Sequence, residues 1–488
     1  MTTTLVSGAW VIGSDGPGHY LLRDGQIVFE GNRIIFVGKG YDGEVDARID
    51  AGNAVIAPGF VDLDALFDLD STVLGFDNSP GWKKGRVWAA DYYENGARDV
   101  YSADEEAFSH QYAMCQLLLN GITTALPIRS ILYREWAETY EEQVRAAELA
   151  TALGIRIYLG PSYRTGLPVV EEIGSIAMRW NPDRGMTGLH EAIRFVQEFD
   201  NTADGRIRGF LQPDRIEGCT EELLLVTRDA GRELGCPVRL HCCQGDLEVR
   251  IVQERWGKSS LRVLRDLGFL EIGPLLPHGV YLGGVEPTPE CIDEEIGWLV
   301  ESGSTIVHCP LVMARHGEVM RSFSTMRDRG VSIGLGTDTF PPDMLLNAHV
   351  GVMSARIVDG SMRATAADYF TAATIGGADA LGRPDLGRLQ PGAKADIVIF
   401  DLDDPAMGQI FDPVQALVLS GSGRNVRTVI VDGRTVVSNR EIPGVDMAVM
   451  HRRSQRQFQS LISSYPERAF GHPPVDEIFA PSFQIRES

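Results

Sequence analysis

The sequence lacks most features that mark nucleic-acid-binding, membrane or secreted proteins. Basic residues are few, because 45 Lys and Arg stand against 67 Asp and Glu and give a formal net charge of −22. Such a surface repels phosphate backbones and anionic lipids, which argues against nucleic acid or membrane partners. No apolar run reaches the length of a membrane span, and the N-terminus lacks a basic segment followed by an apolar one. We therefore expect a cytoplasmic protein.

Cysteine is sparse, and its seven residues lie mostly in apolar segments. An odd number in such surroundings favours reduced, buried thiols over a disulfide framework. A Gly-rich phosphate fingerprint after the first strand is also missing, which disfavours a doubly wound nucleotide-binding sheet. What the chain does have is an ordinary globular composition, with 44% hydrophobic and 23% charged residues, over 488 residues. That length predicts two or three cores.

The two ends of the chain share a β-rich texture. Short apolar strands broken by Gly, Asp and Asn occupy residues 1–57 and return at residues 392–447. We predict that these two segments form one composite β-sandwich. Residues 448–488 begin as a basic amphipathic helix and end in coil that contains proline. This tail is typical of a packing or subunit-contact segment, and we expect a homo-oligomer, a dimer or larger.

Residues 58–391 alternate predicted strands and helices. Eight apolar segments, from AVIAPGFVDL to VSIGLGTD, are separated by helix-like stretches, several of which follow an N-cap and end in Gly. This alternation predicts an α/β fold, a (β/α)8 TIM-like barrel. The reacting groups of such barrels stand at the carboxyl ends of the strands.

Imidazoles and carboxylates collect at those predicted strand ends. The sequence has ten histidines in all, so three at successive strand ends are a concentration. Three imidazoles with a closing aspartate favour a metal or proton-transfer site over isolated structural histidines. From the first, fifth, sixth, seventh and eighth strands, these residues are Asp64, His241, His278, His308 and Asp338.

The motifs follow one another in the order APGFVDLDALFDLD, LLLNGITTALP, RLHCCQ, PLLPHGVYL, VHCPL and IGLGTDT, ahead of ATIGGADALGRPDLGRLQPGAKADIVIFDLD. In that order they resemble the amidohydrolase superfamily, in its branch of cytosine and guanine deaminases and s-triazine hydrolases. The family patterns are PGFVD-x-H-x-H on strand 1, G-x-T-T on strand 2, H-x-x-E on strand 5, a histidine on strand 6 and an aspartate on strand 8. The resemblance runs nearly end to end. It implies a hydrolase that acts on carbon–nitrogen bonds other than peptide bonds.

Three positions depart from the family pattern. Asp64 and Leu66 stand where the H-x-H pair would be, so two imidazole ligands are missing. Gln244 stands where the glutamate of strand 5 shuttles protons in that branch. A glutamine donates and accepts hydrogen bonds, but it carries no proton at neutral pH.

The resemblance still implies a metal site. His241 and Asp338 correspond to retained family ligands, and His278 would lie beside the ion or bind it. With Asp64 as a carboxylate in place of the first imidazole, we expect one divalent ion, Zn²⁺ or another first-row metal. Asp338 would accept a proton from the attacking water, and His278 would stabilise the developing oxyanion or relay a proton. Gln244 completes the predicted catalytic set.

Substrate-binding candidates come from the loops beyond the strands. The loop after strand 1 carries an aromatic and basic cluster that includes Trp82 and Trp88. Arg129 and Arg164 follow strands 2 and 3, and His308 ends strand 7. Together they predict a site for a planar, polar ring that bears a carboxylate. The alternative for each arginine is a surface cation paired with the abundant acids.

We predict an amidohydrolase-type enzyme that deaminates a small cyclic or aromatic heterocycle, or hydrolyses an amide in it. Two alternatives stay open. One is a metal-independent lyase, isomerase or hydrolase that uses Asp338, His278 and Asp64 as acid–base groups. For Asp64 itself, the alternative to metal binding is that it caps a neighbouring backbone group. The other is a catalytically silent scaffold, against which the joint presence of His241, His278 and Asp338 argues.

Overall fold

Strands and helices alternate through the middle of the chain, whereas its first part is entirely β. The structure, a computed structural model, describes residues 2–67, 69, 87–129, 136–479, 481 and 483–486. The strands are β1 (Thr3–Asp15), β2 (Gly18–Glu30), β3 (Arg33–Gly38), β4 (Ala47–Asp50), β5 (Ala54–Pro58), β6 (Phe60–Leu66), β7 (Trp88–Ala89), β8 (Ile122–Ile128), β9 (Arg156–Leu159), β10 (Ser162–Tyr163), β11 (Gly166–Glu172), β12 (Ser175–Trp180), β13 (Ile207–Gly209), β14 (Gln212–Pro213), β15 (Leu275–Pro277), β16 (Thr305–His308), β17 (Ser332–Leu335), β18 (Ile397–Asp401), β19 (Val426–Val431) and β20 (Arg434–Val437).

The helices begin and end at residues that favour termini. The helix over residues 140–153, for example, has Thr139 and Glu142 in a capping box and ends at Gly154, whose φ of 83° suits glycine. The helices are α1 (Ala90–Glu94), α2 (Ala103–Leu119), α3 (Tyr140–Leu153), α4 (Pro182–Phe199), α5 (Glu221–Leu234), α6 (Asp246–Trp256), α7 (Ser260–Asp266), α8 (Pro289–Ser302), α9 (Pro310–Arg315), α10 (Phe323–Asp328), α11 (Met344–Asp359), α12 (Ala366–Thr371), α13 (Gly377–Ala380), α14 (Pro413–Ser420), α15 (Met447–Arg468) and α16 (Val475–Ile478). Single helical turns lie at Thr202–Gly205, Ile216–Gly218, Phe269–Ile272, Ala372–Gly376, Pro405–Met407 and Gly423–Asn425.

Strands from both ends of the chain pair in one eight-stranded sheet. Its order is β20-β19-β18-β5-β1-β2-β3, and β4 pairs with β1 in parallel. Antiparallel pairing of β5 with β18 joins the N-terminal and C-terminal parts. Apolar side chains of both parts are buried together on this sheet, among them Val11, Ile56 and Ile399. The division into units at 1–57 with 392–447, 58–391 and 448–488 stays a prediction.

The strands between these ends follow the order of the predicted barrel. One parallel ladder has the order β13-β9-β8-β6, and a second runs β15-β16-β17. The predicted fifth strand joins them through single bridges of Val238 to Leu211 and of Arg239 to Leu275. The last strand meets the first where the Asp338 amide donates a hydrogen bond of 2.7 Å to the Asp64 carbonyl. The predicted α/β fold is confirmed, and these strands follow one another in the order of the predicted barrel.

The contact between the last strand and the first depends on a glycine. A Cβ atom at Gly336 would lie 2.6 Å from the Asp64 Cβ and 3.0 Å from the Cys309 Sγ. No real Cβ atom tolerates the first of these distances, so a side chain here would push the strands apart. Gly336 therefore brings the residues that follow it close to Asp64.

The C-terminal helix α15 packs against α2. Its Gln457 amide donates hydrogen bonds to the Glu105 carbonyl at 2.9 Å and to the Ser109 hydroxyl at 2.7 Å. Leu461 and Tyr465 are buried beside Tyr101. Within the described ranges, no helix has the length and apolar character that crossing a membrane requires.

A buried ion pair ties the barrel to the eight-stranded sheet. The Arg156 guanidinium at the start of β9 donates from Nε and Nη2 to the two Asp396 oxygens, each at 3.2 Å. Arg156 is fully buried, and Asp396 also accepts a hydrogen bond of 2.7 Å from the Asp432 amide. The buried Asp432 carboxylate also lies 3.4 Å from this guanidinium, so removing Asp396 would leave Arg156 with one longer contact in place of a bidentate one.

We predict that Asp396→Asn lowers the free energy of unfolding by about 3 kcal/mol, because Arg156 loses its bidentate anion. Asp104→Asn, which removes the exposed ion pair with Arg145, is the control and should cost less than about 1 kcal/mol. Urea unfolding of both variants measures the difference. Equal losses would contradict the structural role of the buried pair.

Candidate metal centre and active site

Four predicted site residues meet at the carboxyl ends of the barrel strands. The Asp64 Oδ2 lies 3.4 Å from the His241 Nε2, and the Asp338 Oδ2 lies 3.7 Å from the His278 Nε2. One donor atom each of Asp64, His241 and His278 lies within 4.8 Å of the others. All three of these residues are buried. The strands thus bring two imidazoles and two carboxylates into one small volume.

His241 is oriented by the backbone of the neighbouring strand. Its Nδ1 lies 2.8 Å from the Asp214 carbonyl oxygen. A carbonyl only accepts, so Nδ1 carries a proton and Nε2 points toward Asp64. This backbone contact leaves Nε2 as the ring atom that can bind an ion, as in most metal-binding histidines.

His278 is buried, and its ring forms no hydrogen bond with the described residues. Neither of its ring nitrogens has a hydrogen-bond partner among the residues that the structure describes. Burial and the neighbouring His241 hold the pKa of His278 well below its usual range, so the ring is neutral. Its backbone has a φ of 81°, and that of Asp338 a φ of 38°, both in the left-handed region. Unpaired buried nitrogens and such backbone strain are typical of functional sites.

The two carboxylates of the cluster have opposite protonation tendencies. Burial and repulsion by Asp64 raise the pKa of Asp338 well above its usual range. Burial works in the same direction on Asp64, but His241 and Arg239 outweigh it and hold the pKa of Asp64 below its usual range. The site therefore has one ionised carboxylate and one that keeps a proton when no other cation is close.

Arg239 is a member of the site that the sequence analysis missed. Its guanidinium is fully buried in the barrel and lies 3.0 Å from the Asp64 Oδ1. A signal was present, because Arg239 stands two residues before His241 and strand periodicity puts both on one face. The guanidinium also donates to four oxygens, those of Leu63 (3.0 Å), Leu126 (2.6 Å), Pro127 (3.2 Å) and the Gln212 side chain (2.6 Å).

Asp62 lies deeper and connects strands 1 and 8. Its Oδ1 accepts hydrogen bonds from the backbone amides of Thr337 at 2.9 Å and Asp64 at 3.2 Å, and its Oδ2 accepts from the Thr337 hydroxyl at 2.5 Å. Burial raises the pKa of Asp62 to about 6. These contacts fix the strand end that carries Asp338.

A second acidic group borders the site after strands 4 and 5. The Glu248 carboxylate accepts hydrogen bonds from the amides of Cys243 at 2.7 Å and Gln244 at 2.6 Å, and from the Ser260 hydroxyl at 2.6 Å. Burial and the nearby Glu248 raise the pKa of Glu217 to about 8. Neither glutamate was predicted from the sequence, because their proximity depends on how the two loops pack.

Arg215 supplies a cation next to these acids. It is half-buried, and no carboxylate of the described residues lies within 4.0 Å of its guanidinium. It is close enough to lower the pKa of His278 and to counteract the rise in the pKa of Asp338. Gln244 is half-buried, and its side-chain oxygen has no hydrogen-bond partner in the described part of the chain. Both groups stand near the cluster with capacity to bind further polar atoms.

The predicted substrate-binding residues do not form one surface. Trp82 lies outside the described residues. Trp88 is buried in an apolar cluster with Trp136, and its ring contacts Tyr92 at a centroid distance of 5.4 Å. His308 lies beside the stacked rings of Phe323 and Tyr369, at centroid distances of 5.6 and 5.9 Å, and burial lowers its pKa to about 3. Its Nε2 lies 3.4 Å from the Tyr369 hydroxyl.

The two predicted substrate arginines are buried and paired with acids. Arg129 forms an ion pair with the Glu106 carboxylate. Arg164 lies 3.7 Å from the Asp214 carboxylate and stacks on Trp136. Pairing with acids was the alternative for these residues, although that alternative placed them at the surface. Their substrate roles, like those of Trp88 and His308, stay predictions.

A parallel barrel with imidazoles and carboxylates at the carboxyl ends of its strands is the architecture of a hydrolase that uses a metal ion. The donor set fits one first-row divalent ion, because it offers nitrogen and oxygen ligands in a buried site with orphaned imidazole nitrogens. The chain belongs to the amidohydrolase family, whose sequence profile matches residues 57–436.

Relatives of known name agree with this family. The chain is 26% identical over 470 residues to a 5'-deoxyadenosine deaminase of Methanosarcina barkeri, with 95% of this chain and 99% of the relative covered. It is 28% identical over 474 residues to a 5-methylthioadenosine/S-adenosylhomocysteine deaminase of Halobacterium salinarum, with 94% and 99% covered.

Solved structures share the fold. An adenosine deaminase from Xanthomonas campestris with bound zinc has a TM-score of 0.77 at 19% identity, over 94% of this chain and 98% of that one. Atrazine chlorohydrolase from Arthrobacter aurescens, complexed with zinc, has a TM-score of 0.77 at 22% identity, over 93% and 99%. The predicted family and branch are confirmed.

We predict that Asp64→Ala lowers zinc occupancy, because the cluster loses its ionised carboxylate while both imidazoles remain. Zinc per protein, measured by atomic emission after purification without chelator, should be about one for the parent and well below it for the variant. Cys115→Ala, which changes a buried cysteine of α2, is the control and should keep the zinc.

Glu217 predicts a pH dependence of stability. Its folded-state pKa is raised to about 8, so the folded protein holds a proton that the unfolded chain releases near its ordinary value of 4.5. Stability therefore falls as pH rises through this window. Glu217→Gln should reduce that fall by roughly 1–4 kcal/mol between pH 6 and 9, measured by urea unfolding. An unchanged slope would contradict a proton on Glu217.

Proposed function

We propose that this protein removes an amino group hydrolytically from a small nitrogen heterocycle, with aminated purine nucleosides as the first substrates to test. The observation that carries the proposal is the buried group of Asp64, His241 and His278 at the mouth of the barrel, with the partly exposed Asp338 at 3.7 Å from His278. The names of the deaminase relatives support the bond and the substrate class.

Asp64, His241 and Asp338 would hold one divalent ion, with His278 as fourth ligand or immediate neighbour. When bound, such an ion supplies a Lewis acid that makes water acidic enough to attack near neutral pH. The Asp64 Oδ1 forms an ion pair with Arg239 at 3.0 Å, whereas its Oδ2 faces the His241 Nε2 at 3.4 Å and accepts a weak hydrogen bond of 3.8 Å from the Cys309 thiol. Leu66 supplies no donor atom, so a second ion on that side is not expected.

Proton transfer falls to Asp338 and His278. Water adds to the carbon that bears the amino group, Asp338 takes a proton from that water, and the same proton passes to the departing nitrogen as the C–N bond breaks and ammonia leaves. His278, neutral and 3.7 Å from Asp338, is placed to hydrogen-bond the oxygen that develops charge. Gln244 cannot carry the proton, but its amide can bind a ring nitrogen of the substrate.

Arg215 is the group near the cluster best placed to bind an acceptor on the substrate. It is charged, half-buried and without an acidic partner within 4.0 Å in the described chain. A polar or anionic substituent would satisfy it. This role is separate from those predicted for Arg129 and Arg164, which are paired with acids and whose substrate roles stay predictions.

A metal-independent acid–base enzyme is the second candidate. The Asp64 charge is already balanced by Arg239, so an ion is not required to keep that carboxylate ionised. Asp338 and His278 would then act alone. The cytoplasmic location and the homo-oligomer expected from the sequence stay predictions.

Ammonia release from adenosine, 5'-deoxyadenosine, methylthioadenosine and aminated triazines tests the proposal. We expect turnover of at least one compound, loss of turnover after chelation and recovery with added Zn²⁺. Asp338→Asn should lower kcat by about 10²–10⁴-fold, because proton transfer is lost. Activity that survives complete removal of metal would favour the second candidate, and no ammonia from any compound would contradict the deaminase proposal.

A further inference from the structure

The family pattern has a neutral imidazole at position 64. This chain has the charged Asp64 there, beside the charged Arg239. A carboxylate at position 64 puts a negative charge in the barrel interior, where desolvation of an unpaired ion costs several kcal/mol. The Arg239 Nη1 lies 3.0 Å from the Asp64 Oδ1, and both side chains are completely buried. The pair therefore adds no net charge to the site.

The position of the guanidinium is fixed independently of Asp64. Arg239 crosses the barrel interior from the fifth strand, and three of the oxygens that it binds are backbone carbonyls of strands β6 and β8. These are the carbonyls of Leu63, Leu126 and Pro127. The Phe210 ring lies beneath it at 5.1 Å, and the Gln212 side chain accepts another hydrogen bond. Since these contacts involve the scaffold itself, binding of an ion cannot displace the arginine cheaply.

We propose that Arg239 is the positioning residue of the metal site: its fixed charge attracts the Asp64 Oδ1 through the ion pair, without a hydrogen bond, and leaves the Oδ2 facing His241 as a single ligand atom for the ion. The proposal rests on the metal site of the proposed function. It accounts for a carboxylate at the first position of the missing H-x-H pair, because Asp64 and Arg239 form one unit whose charges balance.

Arg239→Met should weaken Zn²⁺ binding about 10–100-fold, as the loss of groups that orient metal ligands commonly does. The freed Asp64 carboxylate would then bind a proton or rotate away from the ion position. Arg239→Lys keeps the charge but not the planar fork, so its affinity should lie between those of Arg239→Met and the parent. Competition against a coloured chelator measures these affinities.

The matched control is Arg156→Met, which also removes a fully buried, ion-paired guanidinium, but at the sheet side of the barrel. It should lose thermal stability and keep the zinc affinity of the parent. Visible spectra of the Co²⁺-loaded proteins report the ligand set, and we expect a changed spectrum for Arg239→Met alone. An unchanged or higher affinity in Arg239→Met, with the spectrum of the parent, would mean that Arg239 is merely structural.

Restoring the family motif provides a gain-of-function test. Asp64→His with Leu66→His should bind Zn²⁺ poorly while Arg239 remains, because the cation then faces an imidazole and has no anion. Adding Arg239→Met to the pair should raise the affinity at least tenfold. Equal affinity with and without Arg239 would overturn the proposal.

A double-mutant cycle separates this inference from the proposed function. If the parent binds no Zn²⁺, the metal part of the proposed function and the positioning role both fail. The charge compensation is still measured in chelated protein with Asp64→Asn, Arg239→Met and the double variant. Compensation predicts that the double variant loses less in Tm than the sum of the single losses. Additive losses would overturn it.

Discussion

The site depends on how the barrel stabilises one buried negative charge. Asp64 is ionised in a place that water does not reach, and that state persists only because Arg239 and the imidazole of His241 lie beside it. Arg239 in turn binds carbonyls at the ends of the first two barrel strands. The residue that balances the charge of Asp64 therefore also connects the fifth barrel strand to the first two.

A second set of contacts places the remaining carboxylate. Asp62 binds the amide and hydroxyl of Thr337, and Gly336 allows the last strand to approach Asp64 more closely than any side chain would permit. Asp338 follows Thr337, and its backbone adopts a left-handed conformation. Because strand 8 is attached to strand 1 in this way, Asp338 stands above His278 rather than in the helical layer.

The alternation of strands and helices was sufficient to predict the barrel, and strand ends were sufficient to predict that Asp64, His241, His278 and Asp338 meet. Both follow from local periodicity and the geometry of parallel barrels. The partners of Arg129 and Arg164 could not be predicted, since Glu106 and Asp214 are distant in sequence and their contact depends on packing. Glu217 was not predicted for the same reason, because its pKa is raised in part by Glu248, which lies on a different loop. Arg239 was predictable in principle from its spacing to His241. Sequence alone, however, does not distinguish a buried arginine from an exposed one.

The site therefore keeps reactive polar groups although the family's imidazole pair and glutamate are missing. Burial keeps His278 neutral, and it also keeps a proton on Asp338 until another cation approaches. A cation that arrived at the cluster would meet one carboxylate already balanced by Arg239 and one that must release its proton. The affinity for an ion is then linked to the proton on Asp338, and the same carboxyl that completes the ligand set is the one that moves protons in the proposed reaction. Arg239 balances the negative charge of Asp64. Asp338 is therefore the carboxyl group whose protonation state responds to the ion.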